Sequence, residues 1–464
     1  MKYDVLIIGC GPAGIFSALE LLKNKPDLKI AMFDKGRNIK IRKCPKAKLG
    51  KCAGCIPCNI SCGWGGAGAF SDGKLSLNKD VGGWLEDYLG SDKLNEYIKY
   101  VDDIYLDYGA TKEVIYNQKF ADEFANKCTA NNLKLVKCPV RHLGTEKTQI
   151  IMDKMYETIK SHKNVEIYDL ADAIDIDLDK EKKVIIDVNG TQKEFIGDNI
   201  ILAVGRSGSE WLQNTCKKHH LPIEGNQIDI GVRVELPRTI TDFLTNELYE
   251  FKIYNTSKTT DNIVRTFCMN PGGFVSQENY DDNIAVVNGH SFKDIKSENT
   301  NFALLVSANF TEPFDEPIKY GKYIAELSNM LTGGKIMVQR LKDLKQGKRS
   351  TYNKMKKLCY EPTLKDAVPG DLSFALPHRI LVALLETLEA LDKVCPGING
   401  DSTILYGVEV KFYSTKVKVN NNLKTNIDGV YAIGDGAGIT RGLIQASISG
   451  VIAARDILKW KIYT

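Results

Sequence analysis

Close to the N-terminus the run YDVLIIG, residues 3–9, is apolar almost without interruption and predicts a strand buried on both faces. The segment IFSALELLKNK that follows repeats its apolar positions at helical spacing. KIAMFD, ending at Asp34, is a second short apolar strand. Residues 84–135 carry mostly helical periodicity, whereas 165–208 alternate and predict short strands with a hairpin at Asn189-Gly190. That stretch ends in another buried strand, NIILAVG. Residues 209–400 mix strands and helices, one helix falling near 379–392. The chain closes with strand, Gly-Asp turn and a helix from about Gly442 to Leu458. No internal repeat or low-complexity segment interrupts this order.

The first strand, glycine turn, helix and second strand carry Gly9, Gly11 and Gly14 as G-x-G-x-x-G, with Asp34 at the end of the second strand. This is the dinucleotide-binding fingerprint in its required context. Gly9 permits the tight turn, Gly11 admits a pyrophosphate to the backbone, and Gly14 lets helix and strand pack closely. The helix N-terminus offers N–H groups and positive dipole to phosphate. Asp34 is placed for a ribose hydroxyl. A second glycine-turn element lies at the far end of the chain, so one domain is assembled from discontinuous segments.

Composition narrows the class. A chain of 464 residues suits two interleaved domains, and 43% hydrophobic residues supply a large core. With 62 basic and 58 acidic residues, the charge balance does not suggest nucleic acid. The strand pattern begins within three residues of Met1, leaving no room for a signal peptide. The apolar stretch 429–454 contains Asp435, Arg441 and Gln445 and fails as a membrane span. A cytoplasmic protein is expected.

Twelve cysteines are present, and five of them, Cys44, Cys52, Cys55, Cys58 and Cys62, crowd into one loop. The spacing C-x2-C-x2-C-x3-C from Cys52 to Cys62 matches the ferredoxin run, which suits a [4Fe–4S] cluster. Four thiolates in so short a loop suit a structural zinc as well. A redox-active dithiol and plain structural cysteines complete the alternatives. Ligand softness does not separate iron–sulfur from zinc.

DVLIIGCGPAG, NIILAVGRSG and GVYAIGDGAG together resemble the three FAD-contacting segments of the glutathione-reductase-like flavoprotein superfamily. GGAGAFSDGKL, RTFCMNPGG, VVNGHS and LYGVEVKF resemble, more narrowly, a bacterial family of FAD-dependent dehydrogenases often labelled NAD(FAD)-utilising dehydrogenases. The resemblance runs essentially end to end. It implies an α/β protein: a glutathione-reductase-like, Rossmann-type FAD-binding domain, discontinuous in sequence, with an inserted α+β substrate domain. The expected segments are 1–208 and 404–464 for the FAD domain, including the cysteine-rich loop 44–62, and 209–403 for the insert.

The resemblance also implies site residues. Gly9, Gly11, Pro12, Ala13 and Gly14 cradle the pyrophosphate, with Asp34 and Lys35 toward the adenosine and Arg42 near the phosphates. Gly65, Gly66, Ala67, Gly68, Ser71, Asp72 and Lys74 form the loop along the ribityl chain and isoalloxazine. Gly205, Gly434 and Asp435 belong to the other two segments, and Gly442 and Gln445 begin the helix aimed at the flavin pyrimidine. Relatives carry Cys-Pro followed by C-x-x-C-x-Pro-Cys, matched here by Cys44, Cys52, Cys55 and Cys58; Cys62 is the alternative ligand.

The expected activity is an FAD-dependent oxidoreductase in which an iron–sulfur cluster feeds the flavin for reduction or oxidation of an unidentified organic substrate. One alternative is an NAD(P)H-dependent dehydrogenase or monooxygenase with a zinc loop. Another is a redox sensor or electron relay. No second G-x-G-x-x-G in strand–turn–helix context supplies the usual NAD(P)H module, so the donor is expected to be ferredoxin-like or a transient NAD(P)H. On the substrate side, His290 is a proton-donor candidate, Arg265 a carboxylate clamp, and Lys74 a third catalytic candidate. Arg233, Cys268 and His378 are further polar residues of the insert, with structural roles as the alternative.

Overall fold

The computed structural model describes residues 2–45, 53, 55–178, 181–279, 284–292, 295–310, 313–314 and 316–459. The chain divides into two compact units. The first comprises Met1–Val114, Arg141–Asn226 and Ser414–Thr464; the second comprises Ile115–Val140 and Gln227–Tyr413.

The first unit is built on a seven-stranded sheet. Val165–Tyr168, Ile30–Phe33, Lys2–Ile8 and the upper part of Thr191–Leu202 lie parallel in that order, and Val430–Ala432 adds a parallel strand beside Thr191–Leu202. The lower part of Thr191–Leu202 turns back through Asn189-Gly190 onto Lys183–Val188, which pairs antiparallel with Ala171–Asp177. Both turn residues have positive φ, at 52° and 84°, as the predicted hairpin requires. The parallel strands are almost fully buried, which is why they read as unbroken apolar runs. The opening helix Pro12–Asn24 and the final helix Leu443–Ile457 pack on each other, with Ser17 donating to the Gly450 carbonyl at 3.2 Å. Their shared core joins the two ends of the chain.

The second unit is organised around an eight-stranded sheet in the order Val368–Pro369, Met337–Arg340, Ile404–Lys411, Ile228–Pro237, Asn299–Ala308, Ile263–Pro271, Lys252–Thr256, Lys134–Val136. Every pairing is antiparallel except that of the first two strands. Ile228, Ile230, Val232, Val234 and Leu236 of the central strand face one core.

Three expected boundaries are corrected. Residues 115–140 belong to the second unit, because Phe124, Leu133 and Leu135 bury in its core and Lys134–Val136 extends its sheet. Ser209–Asn226 belongs to the first, where Leu212 and Cys216 of the helix Ser209–Lys218 are buried. Residues 404–413 belong to the second, since Ile404–Lys411 is an inner strand of its sheet. In each case tertiary strand pairing and burial decide the assignment. Among the described residues no helix is long and apolar enough to cross a membrane.

Candidate functional site

The first strand ends at Ile8 and is followed by Gly9, whose φ is +103°. A Cβ there would stand 2.2 Å from the Ala203 carbonyl oxygen, so no other residue fits the turn. The opening helix begins at Pro12, and its N-cap, Gly11, has no side-chain cap. Pro12 itself has no N–H to satisfy, which suits it to this first position. The N–H groups and dipole of that end are left for a ligand.

The expected contact segments converge here. A Cβ on Gly66 would come within 3.1 Å of the Gly11 Cα. A Cβ on Gly68 would meet both Leu443, at 2.6 Å, and Pro12, at 3.3 Å. One on Gly434 would lie 3.0 Å from the Ala13 Cβ, and one on Gly436 would lie 2.5 Å from the Gly205 carbonyl oxygen. Gly9 to Gly14, Gly65 to Gly68, Gly205, Gly434 and the start of the final helix thus form one main-chain cradle, although hundreds of residues separate them. Gly442, the N-cap of the final helix, is exposed, uncapped by any side chain and unobstructed within 4 Å. A cradle of glycines between two helix N-termini fits the diphosphate and flavin ends of FAD.

Several side chains of the expected set are engaged within the protein. Asp34 accepts from the backbone N–H groups of Cys10, Gly36 and Gly63 at 2.8–2.9 Å. It therefore splices the glycine turn to the end of the cysteine loop, and three of its roughly four acceptor positions are in use. Lys35 donates to the Ser207 carbonyl at 2.9 Å. Ser71 donates to the Gly68 carbonyl, and Lys74 forms an ion pair with Asp72 at 3.1 Å. Gln445 binds the carbonyls of Lys79 and Val81 and accepts from the Leu85 N–H, tying the 79–85 segment to the final helix. Its amide braces that junction. Asp435 accepts from Thr440 at 2.8 Å. Burial pushes its carboxyl above the ordinary range, against the pull of Arg206 and Thr440.

Arg42 departs most from expectation. Its side chain is buried, and its guanidinium donates to the carbonyls of Asn59, Ile60, Gly63 and Trp64. Four of its five donors are engaged there, so Arg42 acts as a strap on the cysteine loop. Burial lowers its pKa to about 10, with Asp34 pulling the other way. It also lies over the Phe70 ring at 4.7 Å. Gly36 makes the same junction possible: a Cβ there would fall 2.3 Å from Gly63 N.

In the cysteine loop, Cys44 and Cys55 are partly exposed, Cys58 is exposed and Cys62 is buried; Cys52 lies outside the described residues. Cys62 N–H donates to the Cys58 carbonyl at 3.0 Å. Burial opposes ionisation of Cys58, but the backbone N–H groups of Ser61 and Ile60 outweigh it and hold the thiol below its ordinary value. Among the described residues no group of three or more His, Cys, Asp or Glu side chains is arranged to hold a metal.

The substrate-side candidates of the second unit are distributed differently. Arg265 forms an ion pair with the fully buried Asp229 and donates to the Tyr413 hydroxyl at 2.9 Å. Burial would lower its pKa, but Asp229 and its neighbours raise it overall. Its charge is already matched, so it is no open carboxylate clamp. Arg233 is wholly buried and bidentate with Glu409 at 2.8 and 2.9 Å. Lys411 reaches the same carboxylate at 2.9 Å. His290 is exposed, edge-on to Phe292 with centroids 4.9 Å apart and stacked with Phe274. Cys268 has φ +44° within an irregular stretch of its strand, and its carbonyl accepts from Arg233 and Asn270.

Sequence reading missed the extent of this buried polar layer. Asp229, Arg233 and Glu235 alternate along the central strand, and Glu409 and Lys411 along its neighbour. Charges at even spacing in otherwise apolar strands were the available signal. It also missed Arg441 stacked 4.0 Å over Trp84, beside the final helix N-terminus; neither residue belongs to a motif.

Residues 3–233 match the family described as Pyridine nucleotide-disulphide oxidoreductase, and residues 227–412 match FAD-dependent protein, C-terminal domain-like. With the glycine cradle in place, these matches identify the chain as a member of the FAD-dependent oxidoreductases. A protein of Clostridium beijerinckii described as uncharacterized is 26% identical over 99% of this chain and 81% of its own length. Among solved structures, glycine oxidase from Geobacillus kaustophilus aligns at 11% identity over 100% of this chain and 96% of that one, with a TM-score of 0.40. A geranylgeranyl bacteriochlorophyll reductase-like protein from Thermoplasma acidophilum aligns at 11% identity over 99% and 78%, with a TM-score of 0.43.

Proposed function

We propose that the protein reduces or oxidises a small organic substrate with FAD, and that its cysteine loop holds an iron–sulfur cluster through which electrons enter. The proposed ligands are Cys44, Cys52, Cys55 and Cys58, with Cys62 as the alternative. The observation that carries the reading is the strap made by Arg42. One side chain fastens the cysteine loop, at Asn59 and Ile60, to the start of the flavin-side loop, at Gly63 and Trp64. A redox group in the loop would then sit at a fixed separation from the cradle. Cys58 and Gly65 are seven positions apart, a reach of roughly 25 Å at full extension and less as folded. The ligand set rests on spacing, since Cys52 is outside the described residues.

Bound FAD would supply two-electron chemistry. The chain's own residues would do the rest. Gly9, Gly11 and Gly14 admit the diphosphate to the main chain. The final helix presents its N-terminus, whose partial positive charge favours an electron-rich ring. Asp34 keeps the turn and the cysteine loop in register. His290, exposed between two phenylalanines, is the proposed proton donor to substrate. Lys74, matched by Asp72, positions its loop.

Anaerobic purification followed by iron, sulfide and flavin analysis tests the reading. About four irons per FAD and broad absorption at about 400 nm are expected. One zinc per chain without iron would discard the cluster and leave the flavin assignment intact.

The match of residues 3–233 to a pyridine-nucleotide family favours a second reading, in which NADH or NADPH is the donor. Mixing either nucleotide with the oxidised protein in a stopped-flow instrument would bleach the flavin rapidly if that reading holds.

A further inference from the structure

The surface around the cysteine loop has a composition of its own. From Lys35 to Phe70 the sequence contains basic residues and no acidic one. Lys40 and Lys43 are exposed on this face, and Lys40 is partly balanced by Glu157 at 2.5 Å. Three isoleucines stand out among them: Ile56 is 99% exposed, Ile41 57% and Ile60 41%. They belong to one surface. Arg42 binds the carbonyls of Asn59 and Ile60, and the Asn59 amide donates to the Lys43 carbonyl at 3.0 Å, so residues 41–43 and 59–60 run side by side. Cys58, also exposed, lies between Ile56 and Ile60. An isoleucine left almost wholly in water forgoes roughly 1.5–3 kcal/mol of burial. Three of them rimmed by lysines give the pattern of an apolar contact centre with an electrostatic border.

We propose that this face docks an acidic one-electron carrier protein. The proposal rests on the reading that electrons enter through the cysteine loop. The lysines steer a carrier whose surface is rimmed by Asp and Glu, and the isoleucines meet the apolar surface beside its redox centre. The carrier is the reductant and is oxidised by one electron at each visit. Two visits supply the electron pair that a hydride transfer to substrate consumes, with one proton taken from water.

The test uses the full-length flavoprotein and an acidic ferredoxin in its oxidised form, with affinity measured by calorimetry. Binding weakened about tenfold between about 50 and 200 mM salt is expected. Lys40→Glu combined with Lys43→Glu should weaken it at least about tenfold, and Ile56→Asp several-fold, with flavin content and far-UV circular dichroism unchanged. Lys393→Glu, on the second unit, should leave affinity as it is. Affinity insensitive to the Lys40 and Lys43 changes would overturn the proposal. So would a stronger affinity for phosphatidylglycerol vesicles than for the carrier. Iron analysis of the same samples separates the two readings. Iron present without carrier binding removes the docking face alone; salt-sensitive binding to a protein without iron removes the cluster alone.

Discussion

The glycine turn of the first unit and the central strand of the second both concentrate polar groups at the heart of a sheet, and they dispose of them in opposite ways. Around Gly9, Gly11, Gly68 and Gly442 the polarity is main-chain, and side chains are withdrawn. Along Ile228–Pro237 it is carried by full charges, two of the three met by an opposite one: Asp229 by Arg265 and Arg233 by Glu409, which Lys411 also reaches. Among the described residues Glu235 has no such cation; burial raises its pKa, while Thr363, Tyr406 and Asn299 hydrogen-bond it. A site for a phosphate-rich cofactor needs donors that remain uncommitted and a surface that approaches closely. A layer that only has to hold a sheet together needs charges that satisfy one another. Abundant charge therefore marks the scaffold here, and its local absence marks the cradle.

The largest effect that would break this contrast comes from the cradle. Gly9→Ala places a methyl group 2.2 Å from a carbonyl oxygen and forces a φ of +103° on an L-residue. Purified protein should carry essentially no FAD, measured by absorbance after denaturation; retained flavin would show that the turn is not the binding element. Next comes Arg233→Met, which removes the bidentate partner of buried Glu409 and leaves it with Lys411. Breaking a buried pair costs about 3–5 kcal/mol, read as a lower urea midpoint, and any folded fraction should keep its FAD.

Arg42→Lys sharpens the contrast by testing the strap. One ammonium cannot reach four carbonyls, and a loss of about 2 kcal/mol is expected, with faster protease cleavage within residues 43–61. The smallest effect concerns pH. Burial raises the Asp343 carboxyl, but Arg340, Ser350 and Lys354 outweigh it and hold the pKa well below the ordinary value. A group depressed in the folded state contributes stability above its unfolded pKa and loses it as pH falls through the folded one. Asp343→Asn should therefore lower the urea midpoint at about pH 7 and show a smaller further drop at about pH 3 than the parent protein.

How much was legible follows from range. The fingerprint glycines, the Asn189-Gly190 hairpin and the helix His378–Asp392 were readable because each is specified by a short stretch of chain. The role of Arg42 was not, because nothing local says which carbonyls its guanidinium will find. Arg265 looked like a ligand clamp until Asp229, 36 positions away, was found against it. Nothing local says that the Gln445 amide will bind the 79–85 segment. The Ile115–Val140 excursion was equally hidden, since a three-residue strand acquires its meaning from the partner it pairs with.

The sequence by itself determined that a dinucleotide-type turn opens the chain, that a Gly-Asp turn and helix close it, and that five cysteines share one loop. These are matters of backbone freedom, periodicity and spacing, and they survive without knowledge of the rest. The tertiary structure alone decided which polar side chains remain available. A charged residue is a site or a brace according to what stands opposite it, and burial makes every buried charge find a partner. For this chain that rule committed Arg42, Arg233 and Arg265 to the protein's own groups, and left the open donors to the glycines.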